Sequence, residues 1–170
     1  STVALRAGGI LGIALGEVNV SGNQNLAESV TLSDAGSGNL VSMVGGICGY
    51  TNTDPVTFTG NINKADVTAT TSVKNKELLA GGILGYVRGS LTSTGNANFG
   101  DVSAVNASGS NSNAYAGGIV GTFKMAEGNT AQLKEDKSFG HISSSSARAG
   151  LLIGTSSYDG YGAITATDCV

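Results

Sequence analysis

The chain carries one histidine, His141, and what an imidazole can do depends on its neighbours. To act as a general base or metal ligand it needs a carboxylate to orient it, or Cys, Asp and Glu donors at ligand spacing. No such set surrounds His141, so it reads as an outward residue of a strand or turn. Asp66 and Asp101 hold the same slot in sister segments, each one residue before a valine. Carboxylates stacked there could bind a cation or share a proton, the arrangement that glycoside hydrolysis uses. Ser29 and Ala163 fill the slot elsewhere, which favours two exposed turn residues over an acid pair. No Gly-x-Ser-x-Gly elbow presents a nucleophilic serine. Cys48 and Cys169 lack metal-ligand spacing to each other or to His141. Catalytic residues, a metal and a cofactor are therefore not expected, and a carbohydrate-active enzyme built on Asp66 and Asp101 is the third functional reading.

Hydroxyl groups are the second chemical resource. Thr31, Thr68, Ser103, Ser143 and Thr165 each follow an apolar residue, and Ser33, Thr70, Val105, Ser145 and Thr167 lie two positions further on. In extended chain, alternation points both series away from the core. Stacked, they make a flat two-column face of Thr-x-Thr type, which could order water on ice or meet a glycan or protein. An apolar series is the third. Ile10, Ile47, Ile83, Ile119 and Leu152 are each followed at once by Leu11, Cys48, Leu84, Val120 and Ile153. Strict alternation admits one row to the core. The second row would then be an outward stripe, extended by Ile13, Tyr50 and Tyr86, and covered by a partner subunit, another domain or the chain's own linkers.

These residues recur because the chain is a repeat. Ala7-Gly8-Gly9-Ile10, Val44-Gly45-Gly46-Ile47, Ala80-Gly81-Gly82-Ile83 and Ala116-Gly117-Gly118-Ile119 are spaced 37, 36 and 36 residues apart, and a decayed copy at Ala149-Gly150-Leu151-Leu152 follows 33 later. Two alternating runs follow each glycine motif. The first comprises Val18-Asn19-Val20, Val56-Thr57-Phe58 and Leu91-Thr92-Ser93. The second begins at Val30, Val67, Val102, Ile142 and Ile164. Period two means strands, and a unit of three short strands buries its apolar side only by stacking on its neighbours. The expected fold is all-β, a parallel β-solenoid (β-helix) of about five coils in one domain over 1–170, with units at about 7–43, 44–79, 80–115, 116–148 and 149–170. Gly8, Gly45, Gly81 and Gly117 mark places where the chain turns sharply or packs closely. Asn23, Asn61 and Asn96, with Asn25, Asn63 and Asn98, predict asparagine ladders at a bend. The linkers before each glycine motif vary and are expected on one edge as solvated loops.

Composition narrows the partners. Charged residues are 12% of the chain, Trp is absent, Pro55 is the single proline and the net charge is −3. Scattered Lys and Arg without aromatic platforms argue against nucleic acid. No apolar run reaches the 18 residues of a membrane span. Cys48 and Cys169 lie three coils apart, about 14 Å at ~4.8 Å per coil, beyond disulfide reach. Patterned sequence starts and stops without polar caps, so a fragment of a longer repeat protein, or end-to-end self-association, is expected.

Ala80-Gly81-Gly82-Ile83-Leu84-Gly85-Tyr86, together with Asn98-Phe99-Gly100-Asp101-Val102-Ser103, resembles the GLUG-motif repeats of bacterial surface and secreted proteins. These include non-catalytic regions of immunoglobulin A1 proteases and large Bacteroidetes proteins. The resemblance covers nearly the whole chain, although these units are longer than the usual one. It implies a secreted or cell-surface β-solenoid with an adhesive or structural role, binding a glycan, a protein or its own copies. Ice binding through the Thr/Ser columns is the alternative.

Overall fold

A computed structural model describes residues 4–38, 40–108, 113–146, 148–158 and 162–170. Among these residues every regular element is a strand and every strand pairing is parallel. The first coil contains β1 (Arg6–Gly8), β2 (Leu11–Ala14), β3 (Val18–Ser21), β4 (Gln24–Asn25) and β5 (Ser29–Asp34). The second repeats it as β6 (Ser42–Gly45), β7 (Cys48–Asn52), β8 (Val56–Thr59), β9 (Ile62–Asn63) and β10 (Asp66–Thr71). The third runs through β11 (Leu78–Gly81), β12 (Leu84–Arg88), β13 (Leu91–Thr94), β14 (Ala97–Asn98) and β15 (Val102–Asn106). The fourth has β16 (Ala114–Gly117), β17 (Val120–Met125), β18 (Thr130–Lys134), β19 (Lys137–Ser138) and β20 (Ile142–Ser144). β21 (Arg148–Gly150), β22 (Ile153–Tyr158) and β23 (Ala163–Thr167) begin a fifth.

Equivalent strands stack into five parallel sheets, so the chain is a parallel β-solenoid of about 36 residues per coil. The three expected strand stretches are present, the first divided by the Gly-Gly-Ile corner and the second by the Gly-Asn corner. A left-handed residue opens the Gly-Asn corner in every coil: Gly22, Gly60 and Gly95, then Glu135 and Asp168, at φ between 53 and 67°. The Gly-Gly-Ile corner is tight in another sense. A Cβ on Gly81 would lie 1.9 Å from the Leu84 carbonyl oxygen, and the same clash recurs at Gly8, Gly45 and Gly117.

That corner corrects the expected outward stripe. Leu11, Cys48, Leu84, Val120 and Ile153 do not face solvent: Cys48, Leu84 and Val120 are fully buried with Ile47, Ile83 and Ile119, and Leu11 and Ile153 pack against the same cluster. Alternation holds within a strand, and here the strand ends at the second residue of the motif. Ile83 lies in the corner and Leu84 opens the next strand, so both reach the interior. A second cluster, Val67, Ala69, Leu78, Ala80, Val102 and Ala104 among others, fills the space between β10, β11, β15 and their stacked equivalents.

The fifth coil brings a second correction. Ile164 pairs with Ala131, and Thr165 and Thr167 with Gln132 and Lys134, so β23 continues the row of Val18, Val56 and Leu91 and not that of Val30, Val67, Val102 and Ile142. Thr130–Lys134, with Ala131 and Leu133 buried, is the middle strand of coil four.

The linkers collect at one corner, and one is not solvated filler. Lys76 is fully buried, with Nζ 2.6 Å from the equally buried Asp34 Oδ2. Asp34 also accepts from Ser42 Oγ and, at 2.8 Å, from the Gly36 N–H. Among the described residues no helix is long and apolar enough to cross a membrane.

Candidate functional site

Asp66 and Asp101 stack in adjacent coils, and one oxygen of each is already engaged. Asp66 Oδ1 accepts the Asp101 N–H at 2.9 Å, and Asp101 Oδ1 accepts the His141 N–H at 2.8 Å. Each carboxylate braces the backbone of the next coil. His141 is exposed, and no group of three or more His, Cys, Asp or Glu able to hold a metal exists among the described residues. Cys48 and Cys169 are free. Burial pushes the Cys48 thiol up to about 11, against a smaller opposing contribution from a hydrogen bond with the Tyr50 backbone, so it is a packing residue without thiolate reactivity.

The hydroxyl columns lie on one outer face over four coils. Thr31, Thr68, Ser103 and Ser143 are in register, as are Ser33, Thr70 and Val105, and Ser143 Oγ donates to Ser103 Oγ at 3.2 Å. Ser145 begins the turn after β20, where its Oγ accepts the Asn106 N–H. Thr165 and Thr167 lie on the different sheet described above.

At the Gly-Asn corner the amides chain along the axis. Asn23 Nδ2 donates to Asn61 Oδ1, Asn61 to Asn96, and Asn96 to Asp136 Oδ1, at 3.1, 2.9 and 3.0 Å. Asn25, Asn63 and Asn98 form a parallel ladder. Outside this corner Phe99 and Phe139 stack at 5.0 Å and overlook an open groove of 630 Å³ beside Ile62, Lys137 and Asp168.

The arrangement with the richest chemistry lies outside the Gly-Gly-Ile corner. Leu78 and Ala80 face the core, so Leu79 between them faces away, and Met43 and Tyr115 share its row. On the far side of the corner Tyr50 and Tyr86 occupy matching positions and stack at 5.5 Å with 15° between planes. The five side chains form a cluster separate from both cores, with Val41 packed against it. Glycine permits this: a Cβ on Gly85 would meet the Val44 carbonyl oxygen at 2.6 Å, so the two sheets approach closely and their outward rows wall a groove.

Cations flank the rings. Arg6 lies over Tyr50 at 4.5 Å, and Arg148 over Tyr115 at 5.2 Å with Nη1 3.1 Å from its hydroxyl; such contacts are each worth about 0.5–1 kcal/mol at exposed sites. At the Arg148 end the groove opens into a cavity of 340 Å³ lined by Val41, Glu77, Tyr86, Tyr115, Thr122, Lys124, Arg148, Thr155 and Ser156. Burial pushes the Glu77 carboxyl up, more than Lys124 and Arg148 bring it down. The Thr122 residue is 2% exposed, and its hydroxyl has no hydrogen-bond partner among the described residues.

Of the predicted stripe, only Tyr50, Tyr86 and Ile13 are outward. Met43, Leu79, Tyr115, Glu77 and Arg148 are the residues that sequence reasoning missed. The signal was there in part: Met43, Leu79 and Tyr115 precede the Ala-Gly-Gly or Val-Gly-Gly motif at one fixed offset.

Comparison with protein-family models, curated proteins and solved structures finds no match. Fold and site together define the class: a parallel β-solenoid repeat protein with braced coils and an aromatic groove outside its glycine corner.

Proposed function

We propose that the chain is a non-catalytic, extracellular adhesive solenoid that binds a glycan or a protein surface through the groove outside its Gly-Gly-Ile corner. The observation that carries this reading is the outward tyrosine row beside the Glu77, Lys124 and Arg148 cavity. The rings belong to neither of the two larger interior clusters, and aromatic walls with a few convergent polar groups are what ligand sites are made of. Engagement of Asp66 and Asp101 in bracing the backbone supports a non-catalytic role, and the resemblance to GLUG-motif repeats supports the extracellular setting. The test is an array of glycans and matrix proteins probed with the chain and with Tyr86→Ala and Tyr115→Leu, folding being checked by circular dichroism. Binding lost in both folded variants supports the groove; binding unchanged in both, or turnover of a bound oligosaccharide, overturns the reading.

A second reading has its own observation. In-register columns of Thr31, Thr68, Ser103 and Ser143 are the regular hydroxyl array that ice binding requires. It predicts thermal hysteresis that Thr68→Tyr abolishes, and a chain without hysteresis removes it.

A further inference from the structure

We infer that the groove outside the Gly-Asn corner is a second binding site, separate from the one outside the Gly-Gly-Ile corner, and that it takes a short neutral oligosaccharide of β-1,4-linked pyranoses. Phe99 and Phe139 meet the C–H faces of the sugar, and Glu135 and Asp168 accept from its hydroxyls.

The site is built where the repeat changes. One left-handed residue per coil opens this corner: Gly22, Gly60 and Gly95, then Glu135 and Asp168. At the glycines an added Cβ would meet nothing within 4 Å, so a side chain at this position points into open space. Coils four and five place carboxylates there, although a left-handed backbone is unfavourable for a residue with a Cβ. Such strain is kept where it serves a site. Another row changes beside it. Asn63, Asn98 and Ser138 are buried, so the residues that follow them, Lys64, Phe99 and Phe139, turn outward in successive coils. Phe99 and Phe139 stay 49% and 56% exposed even though their rings stack. Between the rings and the carboxylates the groove of 630 Å³ runs from Gly60 in coil two to Asp168 in coil five. At ~4.8 Å per coil its length is about 14 Å, and its volume lies within the range of about 300–1,000 Å³ typical of small-ligand sites.

The chemistry of the walls selects the ligand. Their backbone is already paired along the axis: the Gly60 and Gly95 N–H groups donate to the Thr94 and Lys134 carbonyls, and those of Phe99 and Phe139 to Asn63 and Asn98. An extended peptide therefore finds these donors used and cannot add as a strand, so recognition falls to side chains. Exposed phenyl rings take apolar surface, and carboxylates take hydrogen-bond donors. A pyranose with equatorial hydroxyls offers both. Its axial C–H bonds make each ring face apolar and suited to an aromatic wall, and its rim of hydroxyls donates to acceptor-only carboxylates. Glu135 Oε1 lies 3.5 Å from Lys134 Nζ on the surface, but a carboxylate has about four lone-pair sites and keeps acceptors for a sugar. Lys137, also in the lining, donates to a ring or glycosidic oxygen. An acidic sugar would bring its own carboxylate against Glu135 and Asp168, and like charges placed together oppose binding.

The experiment is calorimetric titration of the whole chain with cellotetraose, xylotetraose and tetragalacturonate. At least one neutral tetramer is expected to bind saturably, and the acidic one about tenfold or more weakly. Phe139→Ala and Glu135→Gly are each expected to weaken the neutral tetramer about fivefold or more. Glu135→Gly installs the residue that Gly60 and Gly95 carry in the same left-handed position, so it removes the carboxylate and keeps the corner, and circular dichroism melts check that both variants fold. Binding of neither neutral tetramer, equal or tighter binding of the acidic one, or affinity unchanged in either folded variant overturns the site. Binding lost in Tyr86→Ala and kept in Phe139→Ala moves the sugar to the other groove, which overturns this site while the reading of that groove stands.

Discussion

The fourth coil breaks the asparagine ladder with one atom. Asn61 Nδ2 and Asn96 Nδ2 each reach back to a carbonyl, those of Val20 and Phe58, and the next in that series is Ser93. Asp136 places Oδ2 where an amide nitrogen would sit, and that oxygen is buried with no close hydrogen-bond partner among the described residues. Burial raises its carboxyl pKa above 3.8, against hydrogen bonds from Ser93 and from the Asn96 backbone and side chain. The folded chain therefore holds this proton more tightly than the unfolded one. Stability is full below the ordinary pKa and falls as pH rises through the raised one. Asp136→Asn is expected to add about 1–3 kcal/mol at pH 7 and to flatten the dependence of Tm on pH between 4 and 8, read from melts of both chains. Asp34 carries the opposite sign. Burial pushes its carboxyl up, but Lys76, Ser42 and the Gly36 N–H outweigh that and leave it lowered, so its contribution is present above 3.8 and lost as pH falls through the lowered value. Lys76→Met strands the carboxylate and is expected to cost about 3–5 kcal/mol, with much of the loss restored in Asp34→Asn/Lys76→Met, as measured by urea unfolding. The Asn ladders were legible because their spacing repeats. The Asp34–Lys76 pair was not: Asp34 closes β5, but its partner Lys76 lies in a linker, where no repeat says which side chain turns inward.

At the scale of the element, the corners decide more than the strands. The two kinds of glycine are expected to respond differently to one methyl group. Gly60 has φ 62° and nothing within 4 Å of an added Cβ, so Gly60→Ala meets only the left-handed strain, about 1–2 kcal/mol. Gly81→Ala drives a methyl into two backbones, at 1.9 Å from Leu84 O and 2.6 Å from Gly121 N, and is expected to lose the folded state or several times that energy, as chemical denaturation of the two variants will show. The same corner explains the misplaced stripe: period two describes a continuous strand, and the break at the Gly-Gly-Ile corner resets the phase. It also explains Ile164, whose alternating run matches either of two strand rows in composition. Pairing with Ala131 settles the row, and pairing is a long-range fact.

Across the whole molecule each coil is covered by its neighbours, so order should be greatest where there is one on both sides. Leu84 and Val87 of β12 are fully buried, whereas every residue of β23 is exposed. Hydrogen exchange is expected to be at least about a hundredfold slower at Leu84 and Val87 than at Thr165 and Ala166, and equal rates would mean that the coils do not protect one another. The sequence by itself determined the repeat, the parallel stacking, the asparagine ladders and the outward hydroxyl columns of four coils, because a stack copies local pattern directly into axial rows. Only the tertiary structure decided that Leu11, Cys48, Leu84, Val120 and Ile153 lie inside and that tyrosines from two sheets meet outside the glycine corner. The physical reason is the angle between strands: it depends on how closely two glycine backbones approach, and no periodicity along the chain encodes it.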